Sequence, residues 1–141
     1  MPETLIYRCE NKLGHGPYGN RADGSQFKSM EELKAYLPWV LKHNDIHGRH
    51  PPPDLDVWHD NNEFLIKMFG PQHLGWQCGF ESIPHLHNWF TLAQRRDLCK
   101  KGFLFLLLST VGEVKFGKHQ CVFHRPSAKI VRPLTEEELK I

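Results

Sequence analysis

An α+β domain, a largely antiparallel sheet with helices gathered on one side, is the fold class this sequence predicts. Three observations carry it. The segments run strand, helix, long loop, strand, helices and then several strands, without the strict alternation of a parallel α/β fold. Phe103-Leu104-Phe105-Leu106-Leu107-Leu108 is continuously apolar, the pattern of a central strand buried on both faces. Two capping-box patterns, Ser29-Met30-Glu31-Glu32 and Thr91-Leu92-Ala93-Gln94, mark helix starts.

Taken in order, Leu5–Cys9 is a first strand, and the Gly- and Asn-rich stretch from Asn11 to Gly24 is a loop. The Ser29 box opens a helix to about His43, with Pro38 expected to kink or end it. Residues 43–75 form a long, polar, Pro-rich connection in which only Glu63–Phe69 has helical apolar spacing. A connection of that length in a compact domain is usually functional or mobile. Trp76–Phe80 is a second strand that turns into a helix at Ser82, a natural N-cap with Pro84 in the first turn. The Thr91 helix runs to about Lys101 and stops at Gly102. Val114–Phe116, Gln120–His124 and Ala128–Val131 are short strands, and Thr135–Ile141 is a charged, frayed helical end.

With 141 residues, 40% of them hydrophobic, the chain is expected to be a single domain spanning residues 1–141. A net charge of +2 is too mild for a nucleic-acid track, and Arg95-Arg96 and Lys100-Lys101 read as solvated helix surface. Cys9, Cys78, Cys99 and Cys121 form no C-x-x-C pair, and no signal peptide is apparent, so free thiols in a reducing cytoplasm are expected. Phe103–Leu108 is far too short to span a membrane. His43, His47, His50 and His59 crowd the long loop beside several aspartates. His43 and His47 have spacing for one helix face and a zinc ion, the basis of a zinc-hydrolase reading. The remaining spacings fit no structural zinc pattern, so no metal is expected.

Three places have the residue types for ligand chemistry. Tyr7-Arg8 followed by Gly14-His15-Gly16-Pro17-Tyr18 sets a basic side chain and an aromatic beside a glycine loop, a plausible nucleotide cradle, because Arg clamps phosphate or ribose by its fork geometry. Cys78-Gly79-Phe80-Glu81-Ser82 with His85 is a strand-to-helix turn of the kind that receives phosphates. Gln120, at the mouth of a strand, can hydrogen-bond a ligand hydroxyl or amide. The bland alternatives are an edge-of-sheet charge for Arg8, an N-cap for Ser82 and a hairpin residue for Gln120.

In their order, Arg8, Ser82 and Gln120 resemble the ADP-ribosyltransferase-like fold. The resemblance implies a split sheet and NAD as cofactor. It makes Arg8, Ser82 and Gln120 the candidate catalytic set, and Tyr7, Arg8, Gly16, Tyr18, His50, Phe80, Ser82 and His85 the candidate cofactor contacts. The chain departs from that pattern at Gln120, where a glutamate would stabilise the oxocarbenium charge of glycosidic cleavage. A second resemblance covers most of the chain, through Gly16-Pro17-Tyr18, His50-Pro51-Pro52-Pro53-Asp54, Gly79-Phe80-Glu81-Ser82 to Trp89-Phe90, and Gly117-Lys118-His119-Gln120. It is to a group of small tailed-bacteriophage proteins. Together they imply a phage accessory protein of the host cytoplasm that binds a host factor or nucleotide, to counter host defence or redirect host metabolism. An NAD-dependent ADP-ribosyltransferase or NAD glycohydrolase is the alternative.

Overall fold

The computed structural model describes residues 2–18, 20–40 and 75–141. In chain order these form β1 (Thr4–Glu10), α1 (Met30–Tyr36), β2 (Trp76–Gly79), α2 (Ile83–Trp89), α3 (Leu92–Lys101), β3 (Leu104–Thr110), β4 (Val114–Phe116), β5 (Cys121–His124), β6 (Ala128–Pro133) and α4 (Glu136–Leu139). His43, His47, His50, His59 and the stretch Glu63–Phe69 lie outside the described residues.

The fold is α+β with antiparallel pairing throughout the described strands. One sheet has the order β1-β3-β6 and the other β2-β5-β4. They meet where Tyr7 and Phe80 each donate a backbone N–H to the other's carbonyl at 2.8 Å. Across that junction the strands run β4-β5-β2-β1-β3-β6. Gly79 lets the two sheets approach there, since a Cβ at this position would meet Ile6 Cγ2 at 2.5 Å.

Apart from Leu104, which is exposed, the apolar run of β3 is buried on both faces, and its alternation builds two cores. Phe105 and Leu107 join Cys9, Phe80, Leu86, Trp89, Phe90 and Leu98 under the helices. Leu106 and Leu108 join Ile6, Cys121, Phe123 and Ala128 on the opposite face. Phe90 sits edge-on to Phe80, Phe105 and Trp39, at centroid distances of 6.0 to 6.1 Å, the T-shaped geometry that aromatic quadrupoles prefer.

Each helix end has a local cause. Ser29 accepts the Glu32 N–H, but the Glu32 carboxylate turns to the Lys28 N–H and Arg21 instead of closing the box. The helix ends at Tyr36, short of His43, because Pro38 disfavours helical backbone at Leu37 and has no N–H to donate. The Thr91–Gln94 box closes in both directions, and Gly102, at φ 99°, takes the left-handed turn that ends α3.

Two expectations are corrected. The C-terminal tail is docked rather than frayed: Thr135 and Glu138 form a closed capping box, and Leu139 is buried. Arg95 is not solvated surface, being only 4% exposed. It lies one turn from Leu98 on the buried face of α3 and donates to the carbonyls of Leu139 at 3.0 Å and Phe90 at 2.6 Å.

Candidate functional site

Strand alternation puts Ile6, Arg8 and Glu10 on one face of β1, and the polar pair closes the end of the second core. Arg8 is buried, not an edge charge. Its Nε donates to Glu10 Oε1 at 2.8 Å, one Nη donates to the Cys78 carbonyl, and the other donates to the Gly14 carbonyl at 3.0 Å and Gln77 Oε1 at 3.1 Å. The guanidinium thus ties β1 to β2 and to the glycine loop. Arg125 completes the network with two 2.9 Å hydrogen bonds to the Glu10 carboxylate. Burial alone would raise the Glu10 pKa. The Arg125 hydrogen bonds and the charges of Arg8 and Arg125 outweigh it and hold the carboxyl below the usual range.

The glycine loop is built on Asn11, which is 1% exposed. Its Oδ1 accepts the N–H groups of Leu13 and His15, and its own N–H donates to the His15 carbonyl. Gly14, at φ 84°, supplies the turn that aims its carbonyl at Arg8. Tyr18, at the far end, accepts the Trp89 indole N–H at 2.7 Å, which ties the loop to α2.

Under this loop lies a cavity of about 330 Å³. Arg8, Gly16, Tyr18, Phe80 and Gln120 all line it, so residues far apart in sequence meet at one place. The same walls carry side-chain amides from Asn20, Gln26, Gln77 and Gln120, and aromatic rings from Tyr18, Phe80, Trp89 and Phe90. No described carboxylate lines it. Amides both donate and accept, and rings offer stacking faces, so the lining suits a planar, neutral, hydrogen-bonding group. Cys9 also borders it, but burial pushes that thiol well above the range of a reactive thiolate.

The remaining candidates fall elsewhere. Tyr7 packs against the helix-side core. Ser82 caps α2, accepting the His85 N–H at 3.2 Å, and its hydroxyl is hydrogen-bonded to His85 Nδ1 at 2.6 Å. His85 lines a separate cleft of about 180 Å³ with Asn88, Trp89, Lys118 and His119. His50 lies outside the described residues. Among the described residues no group of three metal-binding side chains occurs, and no helix is long and apolar enough to cross a membrane.

Asn11, Glu10, Gln77 and Arg125 are site residues that the sequence reading missed. The Ile6-x-Arg8-x-Glu10 spacing puts two opposite charges on one strand face, a signal that was available. Nothing local marks Gln77 or Arg125, which reach the site only through the pairing of β2 with β5.

Fold and cavity define an α+β protein with two antiparallel sheets and an amide-lined, aromatic cavity at their junction. The chain belongs to the bacteriophage T4 Y00F protein family, whose family model matches residues 1–137. No curated protein and no solved structure matches it.

Proposed function

We propose that this phage-family protein is a nucleotide-binding module with an ADP-ribosyltransferase-like arrangement that has lost the catalytic carboxylate. One observation carries the reading: Arg8 and Gln120 converge with Gly16, Tyr18 and Phe80 on one cavity whose described lining is amides and rings with no acid. Of the three residues on which the ADP-ribosyltransferase-like resemblance rests, Arg8 and Gln120 line this cavity and Ser82 does not. Amide side chains are suited to the hydrogen-bonding edge of a base or nicotinamide, and the rings to its faces. Arg8 supports the cavity floor and the glycine loop, since its fork is already engaged by Glu10, Cys78, Gly14 and Gln77. Binding of NAD or a related nucleotide would withdraw it from host enzymes, the means by which the protein would counter host defence or redirect host metabolism.

The alternative, an NAD-dependent ADP-ribosyltransferase or glycohydrolase, draws on the same convergence of Arg8 and Gln120. The absence of a carboxylate from the described lining favours binding over cleavage, because a neutral amide lacks the charge that stabilises an oxocarbenium ion. Isothermal titration of the full chain with NAD and ADP-ribose, run beside a nicotinamide-release assay, tests the reading. Saturable binding without release is the expected result. Release of nicotinamide that disappears in Gln120→Ala moves the assignment to the enzyme, and no binding of any nucleotide removes the proposal.

A further inference from the structure

We infer that the cleft beside α2 is the phosphate subsite of the same ligand, so that the preferred ligand is a phosphorylated nucleotide and not a free nucleoside. The inference rests on the nucleotide reading above and adds the position of the charged part. Trp89 lines both the cavity and the cleft, so the two adjoin across one indole. The turn between β4 and β5 serves both as well. Its Gly117 N–H donates to the Gln120 carbonyl at 2.8 Å, which puts Lys118 and His119 at the tip. Lys118 and His119 line the cleft, while Gln120, the next residue, is 5% exposed and lines the cavity. One short turn therefore offers an amide to one side of Trp89 and two nitrogen-bearing side chains to the other.

The cleft's lining has the chemistry of an anion site. Lys118 is a cation, His119 has a ring N–H to donate, Asn88 adds an amide, and no described carboxylate is among the lining residues. His85 is held in orientation by the Ser82 hydroxyl at 2.6 Å. Glu81 approaches His85 Nε2 at 3.7 Å and offsets charge there, so Lys118 and His119 are the principal phosphate contacts. A hydrogen bond from a charged donor to phosphate is about twice as strong as a neutral one, which makes the phosphate a large part of the affinity.

The test is titration calorimetry with matched pairs: adenosine against AMP, and nicotinamide riboside against nicotinamide mononucleotide. With the wild-type chain, the phosphorylated member of at least one pair is expected to bind about tenfold tighter or more, an advantage that shrinks with added salt. A Lys118→Ala/His119→Ala double variant, altered only on an outward turn, is expected to lose that advantage and keep the nucleoside affinity. Equal binding of nucleoside and nucleotide by the wild type, or an advantage that survives in the double variant, overturns the subsite and leaves the nucleotide reading standing. Failure of all four compounds to bind the wild type overturns both.

Discussion

Arg8 and Glu10, two residues apart on the first strand, form a buried ion pair at 2.8 Å, with both side chains no more than 4% exposed. Arg125 closes the far side of the same carboxylate at 2.9 Å. Two guanidinium groups share one carboxylate, and together they join β1, β2, the glycine loop and the turn after β5 at the floor of the cavity.

Glu10→Gln is therefore expected to be strongly destabilising. It leaves Arg8 buried without its counter-charge, a change that typically costs about 3–5 kcal/mol. Urea unfolding followed by circular dichroism measures it. A loss below about 1 kcal/mol would show that the network does not hold the fold.

The same carboxylate sets an acid limit. The folded-state pKa of Glu10 is below its unfolded value, so its contribution is complete above the ordinary carboxylate range and lost as pH falls through the folded pKa. Glu138, bound by both Nη atoms of Arg132 and lowered to about 2, acts in the same direction. Thermal melts are expected to fall gently from neutrality, because burial lowers the His87 pKa and the unfolded chain takes that proton first, and to fall more steeply below about pH 5 as Glu10 and Glu138 are protonated. Glu10→Gln is expected to flatten the lower part of that profile.

Gly79→Ala tests the junction of the sheets. Its Cβ would meet Ile6 Cγ2 at 2.5 Å and the Tyr7 carbonyl at 3.2 Å. The backbone at the junction has to move, at a cost of about 1–3 kcal/mol. Nucleotide affinity should fall along with stability, since Cys78 and Phe80 on either side line the cavity. A variant with wild-type melting temperature would mean that the sheets are not locked there.

Arg95→Met separates tail docking from the core. The substitution keeps an apolar stem but removes the donors to Phe90 and Leu139. Stability is expected to drop by about 1–3 kcal/mol, from two buried carbonyls left unsatisfied. Amide exchange in residues 134–141 should rise well before that of β3. Uniform exchange across the chain would show that α4 is held by other contacts.

Tyr18→Phe removes the acceptor of the Trp89 indole N–H while keeping the ring. It is expected to cost about 1 kcal/mol in stability. A larger fractional loss is expected in nucleotide affinity, because the bond anchors the loop that roofs the cavity. Unchanged affinity in titration calorimetry would dissociate the loop from the site.

Much of the fold was legible in local chemistry. The uninterrupted apolar run of β3 announced a strand buried on both faces, and the Ser82 and Thr91 caps placed α2 and α3 because capping is a contest among neighbouring residues. Apolar periodicity runs on past Pro38, but α1 ends just before it, as the proline signal allows, and Arg95 was misread because a charge at a helical position does not reveal which face is covered. Of the candidate site, Arg8, Gly16, Tyr18, Phe80 and Gln120 were named from residue type and order and share one cavity. Ser82 and His85 were placed with them on the same reasoning, yet His85 lines a different cleft and Ser82 caps α2.

By itself, then, the sequence determined the elements, their order and the α+β class, since these follow from periodicity, caps and turn residues within a few positions of one another. Only the tertiary structure decided that the sheet divides at Tyr7 and Phe80. It also decided that Arg8 is bound between Glu10, Cys78 and Gly14, and that Gln120 faces the cavity while its neighbours face the cleft. The physical reason is distance along the chain. Burial, charge compensation and cavity shape depend on strands brought together from residues about seventy to over a hundred positions apart, and no local pattern encodes those pairings.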